Sequence, residues 1–253
     1  MCILFIAKNV HPYYSLIIAA NRDEYYARPT QSPHWWDDAP HLFAGKDLQA
    51  GGTWLGHNRK NRVAGVTNLR QRDLYQAGAK SRGDLVKRFL DIETACTNLA
   101  IAQFTDFLKE GYKQYNPFNL LFGDADQLFV FCSADGIVRE LNEGMYSLSN
   151  GVPEAIWPKM QRGIDSLSGY LADNQSLDVD AVFSVLADTT LAEGDALPET
   201  GITAEEEHLL SSIFIPEINL RGMPYGTRSS SVIYISGKTT EGSIYMKTKV
   251  MSE

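Results

Sequence analysis

Cys2 and the run Asn21-Arg22-Asp23-Glu24 are the residues of this chain best suited to chemistry. A small residue after an initiator methionine lets that methionine be removed, which would make Cys2 the terminal residue. A terminal cysteine carries its own base, because the α-amine, with a pKa of roughly 7.7–8.0, sits beside the thiol. Arg22 nearby would favour the thiolate, and Asp23 would hold the ammonium or orient the amine. The competing reading makes Cys2 a small buried hydrophobe at the start of a strand. Charge is costly to bury unless paired. Arg22, Asp23 and Glu24 therefore sit in water at the mouth of a sheet, or pair with one another and with a site.

Other residue groups carry weaker chemical signals. Gly51-Gly52-Thr53-Trp54-Leu55-Gly56 has neither a Gly-Lys-Ser/Thr ending nor G-x-G-x-x-G spacing, so it is no phosphate loop. Its glycines suit close backbone approach within a sheet. Trp35 and Trp36 lie in an irregular stretch, residues 24–42, that reads as a binding loop or lid, with both rings as pocket walls. Three scattered cysteines, Cys2, Cys96 and Cys132, give no disulfide framework or zinc site and fit a reducing compartment. A net charge of −8 without a basic run argues against a nucleic-acid surface. The N-terminus lacks a basic region and a cleavage site, and no segment reaches the ~18 apolar residues of a membrane span. The expected location is the cytoplasm.

The elements that must position these residues are legible from hydrophobic pattern. Residues 2–7 and 15–20 are apolar on both faces, which predicts two strands covered on each side. A hairpin follows, with a strand before the turn at 57–62 and another over 63–68. Helices are expected over 81–91, capped by Ser81, and roughly 92–110, with Leu99, Phe104 and Leu108 on the apolar stripe and Cys96 as core. Strands return at 118–123, 127–132 and 137–141, with Cys132 as core. After Trp157-Pro158 a helix carries Ile164, Leu167, Tyr170 and Leu171 on one face, and a shorter one spans 179–187. The acidic segment 193–207 reads as a solvated loop entering a short helix. Two strands close the chain, the second alternating like an edge strand. The whole of 1–253 reads as one α+β domain.

Asn21-Arg22-Asp23-Glu24, Gly51–Gly56, Thr67-Asn68, Leu148-Ser149-Asn150 and Tyr225-Gly226-Thr227-Arg228-Ser229-Ser230 together resemble the NRDE family, also called the transport and Golgi organization protein 2 family. The match runs from Cys2 to about Ser231. The resemblance implies a four-layer αββα sandwich like that of N-terminal-nucleophile (Ntn) hydrolases, with two mainly antiparallel sheets between helical layers. It also implies an association with intracellular haem trafficking and, in eukaryotes, with mitochondria and secretory organisation.

Carried onto this chain, the Ntn pattern makes Cys2 the nucleophile and its amine the base, with Arg22 and Asp23 flanking. Asn68 and Asn150 would donate to a developing oxyanion. Arg228 would hold a substrate carboxylate or the thiolate. The adjacency of Arg22 and Asp23 is a departure, since neighbours on a strand point to opposite faces.

Two functions follow. The first is a haem-handling protein that binds haem exchangeably, because the chain has no C-x-x-C-H motif, and passes it to an acceptor protein. Its ligand-binding set would include Asn21, Glu24, Trp35, Trp36 and Trp54, with Tyr25, Tyr26, Arg22, Arg228 and the five histidines as further candidates. The alternative is an amidohydrolase that cleaves a C–N bond of an acylated amine through an acyl-Cys2 intermediate and needs no cofactor. Haem handling is the leading expectation.

Overall fold

The computed structural model describes residues 2–94, 96–237 and 242–251. Met1, on whose removal the terminal-amine reading depends, lies outside the described residues. In chain order the elements are β1 (Cys2–Lys8), β2 (Tyr14–Tyr25), β3 (Thr30–Trp36), β4 (Ala39–Asp47), β5 (Leu55–Asn58), β6 (Val63–Asn68), α1 (Gly83–Leu90) and α2 (Thr97–Gly111). Then come β7 (Phe118–Gly123), β8 (Leu128–Cys132), β9 (Ile137–Leu141), β10 (Gly144–Leu148), α3 (Pro158–Asp173), α4 (Val179–Leu186), α5 (Ala204–Leu209), β11 (Ile218–Leu220), β12 (Met223–Ser236) and β13 (Ile244–Val250).

The strands form two antiparallel sheets. One runs β10-β1-β2-β12-β11, with β13 also paired to β12, and the other runs β3 to β9 in sequence order. In the first sheet Leu4, Ile6, Leu16, Ile18 and Ile233 face Leu55, Val63, Leu121 and Val130 of the second. On the opposite side Ile3, Phe5, Ile17 and Ala19 pack against Met160, Leu167, Val182 and Leu186 of α3 and α4. The second sheet turns Ala64, Leu120, Phe122 and Phe131 toward Leu85, Phe89, Phe104 and Leu108 of α1 and α2. This is the expected αββα sandwich, and it explains why β1 is apolar on both faces. Ile3, Leu4, Phe5 and Ile6 are each at most 2% exposed. At about 1.5–3 kcal/mol per large apolar side chain, their burial anchors the strand that begins at Cys2.

Several local expectations are corrected. Residues 24–42 are not a binding loop: most of them lie in β2, β3 and the start of β4. The β3–β4 register shifts between Gln31 and His34 and again between Trp35 and Trp36, and these irregularities erase the alternation that marks a strand. Pro33 is tolerated because β3 is the edge strand. The residue preceding α1 is Arg82 rather than Ser81, and it makes no side-chain cap. Helix α2 starts later than expected, and the longer predicted helix crosses Ala95, which is outside the described residues. Cys96 is exposed at its N-cap, and Leu99 is 49% exposed; Ala100 and Ile101 take the inward places. In the acidic segment Glu207 is buried instead of solvated.

The hairpin β5–β6, strands β7 to β9, helices α3 and α4, buried Cys132 and alternating β13 match expectation. Gly56 meets the Phe43 carbonyl and Ala44 of β4, and Gly65 meets Leu55 and Leu4. Close approach within the sheet is thus the role of Gly56, while Gly65 makes room for Leu4 of the first sheet. Contrary to expectation, Gly51 turns the chain at φ +74° and Gly52 approaches α1 instead of a strand. Among the described residues no helix is long and apolar enough to cross a membrane.

Candidate functional site

Antiparallel pairing sets Cys2 opposite Arg22. Both belong to the face of the first sheet that looks toward the second, and they open into a cavity of about 300 Å³. Its walls come from the end of β2, the turn 47–54, the end of β6, residues 79–83 leading into α1, and Asn116. Arg22 is 5% exposed, with its guanidinium 4.4 Å from the centroid of the Trp54 ring and 3.9 Å from Glu24. Burial lowers its pKa, but a guanidinium stays charged. Burial pushes the Cys2 thiol up; Asp23 adds to the shift and Arg22 opposes it.

Asp23 points the other way, as strand alternation requires, and its Oδ1 accepts a 2.7 Å hydrogen bond from Thr227 Oγ1. It nevertheless lines the same cavity, because the site lies at the open end of the strands. Adjacency in sequence therefore does not separate Arg22 from Asp23. Burial raises the Asp23 carboxyl, while Lys159, the Thr227 hydroxyl and Arg70 pull it back down. Lys159 is itself buried, donates to the Leu210 carbonyl at 2.8 Å, and is pushed down to about 8 by burial.

Glu24 accepts from its neighbour's Tyr25 N–H and lies 3.9 Å from Arg28 as well as from Arg22. Arg28 in turn binds Asp47 at 2.7 Å, and Asp47 Oδ1 accepts from the N–H groups of Gln49 and Ala50, which fixes the turn before Trp54. Gly52 lets that turn touch α1: a Cβ there would stand 2.5 Å from the Gly83 carbonyl carbon. Asn68 is half-buried at the end of β6 and lines the cavity.

The remaining sequence candidates lie elsewhere. Asn150 is buried behind Asn68: its Nδ2 donates to the Asn68 carbonyl at 2.8 Å, and its own carbonyl accepts from Arg70 N–H. Asn21 faces the helical layer, where Nδ2 donates to the carbonyls of Leu186 and Ile213 and Oδ1 accepts from Ser230. The motif's first residue ties β2 to its covering layer. Arg228 donates to the Tyr26 carbonyl and lies 4.2 Å from the centroid of the Tyr26 ring. Trp36 is 1% exposed in the core, with its N–H on the Ala44 carbonyl, and Trp35 packs between Arg59, Phe43 and His57. Neither tryptophan lines the Cys2 cavity.

A second cavity of about 600 Å³ adjoins the first and shares Glu24, Asn68, Arg82 and Asn116 with it. Leu69, Ile202, Leu210 and Leu220 give it apolar walls, with Tyr25, Tyr75 and Tyr225 among them. Sequence reasoning missed Arg28, Asp47, Lys80, Arg82 and Asn116. No spacing singles them out, because folding alone brings the loops that carry them to Cys2.

Two antiparallel sheets between helical layers, with a cysteine at the open end of a central strand, define an Ntn-hydrolase-like fold. The solved structure of the Caenorhabditis elegans N-acylethanolamine-hydrolyzing acid amidase (NAAA) ortholog superposes with a TM-score of 0.52 at 10% identity, covering 99% of this chain and 100% of that one. The family described as Transport and Golgi organisation 2 matches residues 1–248, and the chain belongs to it. The Transport and Golgi organization protein 2 homologs of Homo sapiens and Bos taurus are 30% and 31% identical to it, each over 93% of this chain and 88% of theirs.

Proposed function

We propose that the chain is a cysteine amidohydrolase of the N-terminal-nucleophile type. The observation that carries this reading is the placement of Cys2, Arg22, Asp23 and Asn68 around one cavity at the end of β1. A thiol held above its ordinary pKa stays protonated at neutral pH and needs a base. With Met1 removed, the α-amine of Cys2 is that base. It takes the thiol proton as Sγ bonds to the amide carbon and the carbonyl electrons move to oxygen. Asn68 is the group suited to donate to that oxyanion. The C–N bond then breaks, the ammonium proton goes to the leaving nitrogen, and an acyl thioester remains on Cys2. Water, deprotonated by the same amine, releases the acid.

The test starts from protein with a native N-terminus. Its intact mass should lack Met1, and a panel of amides beginning with N-acylethanolamines should include one that is cleaved. Cys2→Ala should abolish that turnover. A retained Met1, or turnover unchanged in Cys2→Ala, rules the mechanism out.

A second reading draws on the adjoining cavity, whose apolar and tyrosine walls with Arg82 and Arg221 at the margin suit an exchangeable haem handed on to an acceptor protein. A saturable change in haem absorbance, weakened by Tyr75→Phe, would support it. A titration without saturation removes it.

A further inference from the structure

The charges around Cys2 do not balance pairwise. Four cations, Arg22, Arg28, Lys80 and Arg82, line the first cavity with three carboxylates, Asp23, Glu24 and Asp47. Arg28 takes Asp47 and shares Glu24 with Arg22, while Asp23 turns to Thr227. Among the described residues, Lys80 and Arg82 are left with no carboxylate at ion-pair distance. Arg82 is half-buried and donates through Nη1 to the Pro117 carbonyl at 3.1 Å, which fixes its plane. A guanidinium has five N–H donors in a fork that matches a carboxylate, so one carbonyl leaves most of that capacity unused. Arg82 also borders both cavities, standing where the polar space around Cys2 meets the apolar chamber. Lys80 sits exposed at the mouth, held by a backbone bond from its N–H to the Gln114 carbonyl.

We propose that Arg82 and Lys80 form an anion-recognition subsite, so that the amide presented to Cys2 carries a carboxylate or similar anionic group near the scissile bond and an apolar part that fills the adjoining chamber. The word amide rests on the hydrolase reading above; recognition of the anion does not. A neutral amide of the same shape would leave the Arg82 fork facing an uncharged group, and would bind less well. A charge-assisted hydrogen bond is roughly twice as strong as a neutral one, and its loss is worth about tenfold in affinity.

The experiment uses Cys2→Ala protein, which cannot turn over, and two probes: N-(4-phenylbutanoyl)glycine and its uncharged glycinamide counterpart. Calorimetry should give about tenfold tighter binding of the carboxylate, with the preference falling as salt rises. Adding Arg82→Gln should bring the two probes to equal affinity, whereas Arg82→Lys should keep part of the preference. Lys80→Gln, at an exposed position that leaves the fold intact, should reduce it. Equal binding of the two probes, no binding of the carboxylate at millimolar concentration, or a preference unaffected by both Arg82→Gln and Lys80→Gln overturns the proposal. Assay of the unsubstituted protein with the same probes separates the two ideas. A charge preference without cleavage leaves the subsite standing and counts against the hydrolase. Cleavage of both probes at equal rates does the reverse.

Discussion

Asp23 shows what a buried carboxyl at this site does to stability. Its carboxyl is 2% exposed and its pKa is raised by burial. The folded protein therefore holds that proton to higher pH than the unfolded chain does. The contribution of Asp23 to stability is fully present below about pH 4 and is lost as pH rises through the folded value. Asp23→Asn keeps an acceptor for Thr227 and removes the buried charge. It should stabilise the protein by on the order of 1 kcal/mol at pH 7 and by less at pH 4, measured by urea denaturation at both, while lowering any amide turnover. A loss of stability at pH 7 would contradict this. Cys2, Arg22 and Asp23 were legible in sequence because charge at the end of an apolar strand demands an explanation. Asn21 was not: the motif reads as one functional unit, yet alternation sends its first residue to the helical layer. Trp35 and Trp36 were misplaced for a similar reason, since the register shifts that aim them leave no trace in residue type.

At the scale of elements, the strand that carries Cys2 is held by how closely α3 approaches it. A Cβ on Gly163 of α3 would stand 2.1 Å from the Phe5 ring of β1. Gly163→Ala must push helix and strand apart or drive Phe5 off its rotamer, at about 1–3 kcal/mol. Urea denaturation should show that loss with an unchanged m-value. Gly163→Ala combined with Phe5→Leu should recover part of it. The paired strands β1 and β2 were readable because both of their faces are apolar. The β3–β4 hairpin was not, because an edge strand with a proline and two irregularities has neither a period of two nor a hydrophobic run. Helix α2 began later than its pattern suggested, with Ala100 and Ile101 taking the burial assigned to Leu99.

Across the whole molecule, the segment leaving β6 is tied to α5 by a buried ion pair, Arg70 with Glu207 at 2.6 Å, both under a tenth exposed. Thr200 N–H and hydroxyl also donate to Glu207. Glu207→Ala takes this carboxylate away from a buried guanidinium and should cost about 3–5 kcal/mol in chemical denaturation. A loss below about 1 kcal/mol would mean that water reaches Arg70. This bond was hidden in an acidic run whose other members look solvated, because pairing across 137 residues has no local signature. The layered architecture, by contrast, follows from the order of apolar strands and amphipathic helices and from the resemblance carried by the scattered motifs.

The segment 70–82 contributes to both cavities and is tied at its two ends by Arg70 to Glu207 and Arg82 to Pro117, and between them by Gln76 on Asn116 and Lys80 on Gln114. Between those ties Leu74 and Tyr75 stand 54% and 70% exposed. Chymotrypsin should cut there first, and a molecule that fills the chamber against Tyr75 should slow that cut several-fold on a gel. An unaltered cutting rate with a saturating ligand would exclude the chamber as its seat. The chain thus carries its own occupancy gauge, one that needs no label and no knowledge of the reaction. A metabolite extract could be fractionated by protection of this one peptide bond, with the protein itself picking out its natural ligand.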